Sequence, residues 1–101
     1  MAARATAEIN GDTFALAGVL DFESVLAIDA EGQSWLQGAA PTVCNINLAA
    51  VSYSSSVGIA LLLGWLRVAL QQHKTLHLLQ LPADMAALAR VGGLEELLAG
   101  V

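Results

Sequence analysis

From Val57 to Leu66 the chain runs ten residues without a charge, directly behind Ser54-Ser55-Ser56, and no other stretch constrains the fold as strongly. A serine cluster leading into a long apolar run marks a loop that opens into a helix, with Gly58 in the first turn. Between Ser56 and Gln72, Ile59, Leu62, Leu63, Leu66 and Leu70 recur at helical spacing as one apolar stripe. Leu61, Trp65 and Val68 form a second. A helix apolar on two sides is either sandwiched inside its own domain or half buried and half covered by a partner. The run ends at Arg67, well short of the ~20 residues that span a bilayer.

The rest of the chain supplies the layers for such a helix. A length of 101 residues suits a single domain, 1–101, with one core and no interdomain cleft. Ala5–Ile9 and Thr13–Ala17 flank Asn10-Gly11-Asp12, a hairpin signal. After Gly18 and Asp21 a helical period places Val25, Ile28, Gly32, Trp35 and Leu36 on one stripe. Ala39-Ala40-Pro41 breaks it, and Thr42–Leu48 reads as a central strand interrupted by Asn45 and Asn47. Beyond the serine-led helix, Thr75–Leu81 is a further strand ended by Pro82. Ala83–Val91 is a third helix with Met85, Leu88 and Ala89 inward. Gly92-Gly93 separates it from a terminal turn at Leu94–Leu98. The order β-β-α-β-α-β-α predicts an α/β fold, a mixed four-stranded sheet with helices packed on it.

Composition narrows the function. With 56% hydrophobic and only 13% charged residues, the chain carries more apolar surface than one small core absorbs, which favours an interaction module. Four scattered basic residues, Arg4, Arg67, Lys74 and Arg90, stand against nine acidic ones, and a net charge of −5 disfavours nucleic acid and anionic lipid. Cys44 is the only cysteine, so no internal disulfide forms, and its apolar setting reads as a buried thiol suited to a reducing cytoplasm. The stretch Met1–Glu8 lacks the apolar core of a secretory signal.

Residues that do chemistry are not assembled into any known constellation. His73 and His77 have no Cys or carboxylate placed to complete a metal site. Asp21 and Glu23 sit where the first helix begins and suit its dipole. The serines lack a base in a nucleophile motif, and neither glycine-rich phosphate loop occurs. No catalytic, cofactor or metal site is expected. Trp35 reads as core. Trp65, on the second stripe, reads as a partner contact, since tryptophan is enriched at binding hot spots. For the serine cluster two readings stand: the hydroxyls cap the helix, or its free N–H groups face a phosphate or a partner's carboxylate.

Two segments resemble a known family. Leu16-Ala17-Gly18-Val19-Leu20-Asp21 is similar to the Leu-x-Gly-Glu-Leu-Asp signature of STAS domains. Ser55-Ser56-Val57-Gly58-Ile59 is similar to the Asp-Ser/Thr-Ser/Gly-Gly-Leu motif that opens their apolar helix. The resemblance places Ser56 at the residue phosphorylated in anti-sigma-factor antagonists; Ser55 replaces the usual aspartate, Val57 a serine or glycine, and Val19 a glutamate. The short chain and the missing aspartate resemble the MlaB-type subunits of phospholipid ABC transporters. That implies a non-catalytic cytoplasmic subunit, peripheral to the inner membrane, that binds the transporter ATPase and through it the permease, with no membrane insertion of its own. The expected contact residues are Ser54, Ser55, Ser56, Val57, Gly58, Leu61 and Trp65. The alternative the resemblance offers is an anti-sigma-factor antagonist switched by phosphorylation at Ser56.

Overall fold

A tight turn starts the sheet. In the computed structural model, which describes residues 5–91 apart from the side chain of Ala89, β1 (Thr6–Asn10) and β2 (Thr13–Leu20) pair antiparallel across Gly11 and Asp12. Gly11 takes φ of 58° at the first loop position, where a two-residue hairpin calls for glycine. β3 (Val43–Ser54) and β4 (Thr75–Leu79) then add in parallel, giving the order β1-β2-β3-β4. The helices α1 (Phe22–Gln37) and α2 (Ser56–Gln71) are the crossovers of two successive βαβ units, and α3 (Ala83–Val91) follows β4. The β-β-α-β-α-β-α order and mixed sheet are those expected from the sequence. The turn expected at Leu94–Leu98 lies outside the described residues.

The helices line up side by side on the sheet, α2 between α1 and α3. Phe14, Leu16, Leu20, Ile46, Leu48 and Leu76 project from the sheet into this layer and are fully or almost fully buried. On the opposite face Thr13 aligns with Asn45, and Asn45 with His77. Asn45 and Asn47 thus interrupt the apolar run because they point away from the helices, at half-buried positions where Asn45 Nδ2 donates to Thr13 Oγ1 at 3.4 Å.

The centre of the core is aromatic. The ring of Phe14 lies 5.5 Å from that of Trp35 and 5.4 Å, edge to face, from that of Trp65. The Trp65 indole N–H donates to Asp29 Oδ1 at 3.0 Å, which ties α2 to α1. Gly32 lets the two helices close: a Cβ there would collide with the Trp65 ring.

This geometry corrects the reading of α2. Its buried residues are Gly58, Ile59, Leu61, Leu62, Trp65 and Ala69, so Leu61 and Trp65 belong to the core and not to an exposed stripe. Because α1 covers the second stripe, the helix is sandwiched. Leu70, expected inward, is 77% exposed, and Ala69 beside it is the buried residue of that turn. In α3, Met85 is buried as expected, whereas Leu88 is 42% exposed and the side chain of Ala89 is not described.

β3 is longer than the sequence suggests. It continues through Ala49–Ser54, past the end expected at Leu48, and its register against β2 slips twice, between Ala15 and Ala17 and between Gly18 and Val19. Each slip inserts a residue and re-aims those that follow. The inward positions therefore run Cys44, Ile46, Leu48, then Val51, then Ser54. The period of two is lost, and with it the signal of a strand.

Candidate functional site

The two slips deliver Ser54 beneath the start of α2. Ser54 is 5% exposed, its hydroxyl donates to the carbonyl of Ser55 at 2.8 Å, and it packs so closely under Gly58 that a Cβ on Gly58 would meet Ser54 Oγ. Met85 of α3 closes the same spot. Ser54 and Gly58, both expected as contact residues, therefore support the site from inside. No larger side chain fits at position 58 without displacing Ser54, which explains why the first turn of an apolar helix carries glycine.

Ser55 is the N-cap of α2: its Oγ accepts from the Val57 amide at 3.3 Å, and its own amide donates to the Leu20 carbonyl at 3.1 Å. The second bond joins the start of α2 to the end of β2, one residue before the N-cap of α1. There Asp21 Oδ1 accepts from the amides of Glu23 and Ser24 at 3.0 and 3.1 Å, and Ser24 Oγ accepts from the Asp21 amide in return, a complete capping box. Ser24 Oγ also donates to the Val19 carbonyl at 2.8 Å. Gly18, at φ of 92°, adopts a backbone that only glycine accepts readily and brings β2 into this turn. The glycine and aspartate of Leu16–Asp21 are thus accounted for by geometry: one shapes the strand end, the other caps the helix.

Two helix N-termini consequently sit side by side at the end of the parallel strands, capped by Asp21 and Ser55. Ser56, the first residue of α2, is exposed and Val57 half-buried. Of the seven expected contact residues, only Ser55, Ser56 and Val57 reach the surface; Ser54, Gly58, Leu61 and Trp65 lie under it.

Sequence reasoning missed the residues that make this surface apolar. Phe22 is 79% exposed at the first position of α1, and Leu26, one turn on, is 76% exposed. Tyr53, the penultimate residue of β3, is 54% exposed, and Ala60 is exposed on α2. The missed signal was the spacing of Phe22 and Leu26, four apart on the flank of α1 away from Ile28 and Trp35. Single exposed apolar residues are ordinary, whereas several of them around one capped helix start are less so. Among the described residues there is no group of three or more metal-ligating side chains, and no helix is long and apolar enough to cross a membrane.

The family model described as "Mlab, STAS domain" matches residues 4–99. Among solved structures, a chain of the Acinetobacter MlaFEDB complex in its ATP-bound Vtrans2 conformation superposes with a TM-score of 0.72 at 23% identity, covering 92% of this chain and 96% of that one. The anti-sigma factor antagonist SpoIIAA in its unphosphorylated form gives 0.71 at 25% identity, over 90% and 82%. The phosphorylated form of the Bacillus cell fate determinant SpoIIAA gives 0.67 at 26%, over 89% and 84%. No curated protein matches the chain significantly.

Proposed function

Because this chain belongs to the MlaB-type STAS domain family, we propose that it is a non-catalytic subunit that binds and supports the ATPase of a phospholipid ABC transporter, acting at the cytoplasmic side of the inner membrane. The observation that carries the reading is the match of the MlaB-type family model from residue 4 to residue 99. The likeness to a chain of the MlaFEDB complex supports it at the level of fold. The partner meets the domain at the paired helix starts: Ser55, Ser56 and Val57 with Phe22, Leu26 and Tyr53 around them. The helix dipole and the serine hydroxyl favour an acceptor or anionic group from the partner at this point, while the apolar residues supply the area.

The test is co-expression with the ATPase and permease of its own transport system. A complex that survives gel filtration, with ATP hydrolysis altered by the domain's removal, is the expected result. ATP hydrolysis by the purified domain alone, or absence of any complex, overturns the reading.

A second reading is an anti-sigma-factor antagonist phosphorylated at Ser56. It is favoured by the SpoIIAA likeness at 25–26% identity and by the exposure of Ser56 at a helix start, where a phosphate is stabilised. The replacement of the preceding aspartate by Ser55 removes a feature of that family's motif. Binding to a soluble serine kinase, followed by phosphate transfer to Ser56, distinguishes this reading from the first.

A further inference from the structure

We propose that the groove between α1 and α2 receives a basic side chain of the ATPase, carried on a segment whose backbone packs against Ala60 and Gly64. The inference rests on the transporter-ATPase reading and names the chemistry of the partner surface. The groove, about 240 Å³, starts at the docking surface beside Val57 and runs between Leu26 on one side and Ala60 and Gly64 on the other. Asp29 and Gln33 line it too.

Three observations converge. First, among the described residues the carboxylate of Asp29 accepts from neutral donors alone, Gln33 Nε2 and Trp65 Nε1, each at 3.0 Å. Among the described residues Lys74 is engaged elsewhere, at the carbonyls of Leu36 and Gly38. A carboxylate in a mostly apolar groove, in no ion pair among the described residues, complements a basic side chain, and such a pair forms charge-assisted hydrogen bonds. Second, Gly64 lies inside α2 although nothing stands within 4 Å of where its Cβ would be. Packing within the domain does not require glycine there, and alanine is the better helix former. The open space admits a neighbouring chain. Third, the groove is continuous with Leu26, part of the exposed apolar surface proposed above as the interface. A second copy of this chain is the less suitable occupant, since at a net charge of −5 it brings like charge to the Asp29 carboxylate.

The test measures affinity of the intact domain for the ATPase of its transport system, with melting temperatures alongside. Asp29→Asn keeps the oxygen that accepts from Trp65 and removes the charge. It is expected to weaken binding ~10-fold at low salt and to flatten the salt dependence. Gly64→Ala is expected to raise Tm by about 4–8 °C through helix propensity, and Gly64→Leu to weaken binding at least ~10-fold by filling the groove. Wild-type affinity and salt dependence in Asp29→Asn, or wild-type affinity in Gly64→Leu, overturns the groove proposal. If Ser56→Glu alone abolishes binding while both groove variants bind normally, the ATPase reading stands and the groove falls. If the wild-type domain binds no ATPase, or self-associates through the groove, the proposal falls as well.

Discussion

Gly32 and Trp65 form one structural unit, because the indole fills the space that any side chain at position 32 needs. Gly32→Ala is therefore expected to destabilise the domain by ~1–3 kcal/mol despite alanine's better helix propensity, as overpacking outweighs a gain of ~1 kcal/mol. Trp65→Ala leaves a cavity among Phe14, Asp29 and Gly32 and is expected to cost ~3–5 kcal/mol. Urea denaturation of both variants checks the pair; wild-type stability of Trp65→Ala contradicts its assignment to the core. Cys44 gives a chemical test of the same interior. Burial pushes its thiol above the ordinary value of 9.0, with Lys74 pulling it down and Asp12 pushing it further up. A raised thiol pKa keeps the protonated, unreactive form across neutral pH. A disulfide reagent at pH 7–8 is expected to label Cys44 only in denaturant, and rapid labelling of the native protein contradicts this.

At the scale of elements, both ends of α1 are held by groups from elsewhere in sequence or by a dedicated cap. Its start has the Asp21 capping box, while its end has Lys74, whose Nζ donates to the Leu36 carbonyl at 2.6 Å. A cation on the terminal carbonyls satisfies orphan acceptors and complements the negative end of the dipole. Lys74→Ala is expected to lower stability by ~1–2 kcal/mol and to speed amide exchange in the last turn of α1 selectively. Uniform exchange across the helix contradicts a local capping role. The Asp21 cap was legible beforehand, since an acidic residue just before a helical period has few other uses. The Lys74 cap was not, because 36 or more residues separate it from the carbonyls it binds.

The whole molecule has one end where strand ends, helix starts and exposed apolar side chains coincide. Its proposed role as the docking surface separates binding from folding. Ser56→Ala removes a hydroxyl that is not the cap, so it is expected to melt within ~1 kcal/mol of the wild type. Ser56→Glu and Phe22→Asp also leave the fold intact but are expected to weaken ATPase binding by ~2 kcal/mol or more, by placing charge against a packed apolar surface. Calorimetric binding with each variant, beside its melting curve, decides the matter; unchanged affinity in both acidic variants moves the interface elsewhere.

Hydrophobic periodicity, the Asn-Gly hairpin signal and proline stops were enough to determine the element order, the α/β class and most of the buried stripe of α1, because these depend on neighbours within a few residues. The sequence also located the start of α2 and the serine at its exposed tip. Tertiary structure decided that the second stripe of α2 is core as well as the first, since an apolar pattern does not say what covers it and only the position of α1 does. It decided the length of β3 as well: two register slips hide the alternation of Ala49–Ser54, and only pairing with β2 makes that segment a strand. Those slips turn Ser54 inward and leave Ser56 outside, so the division between support and surface at the site comes from sheet register, which no local pattern records.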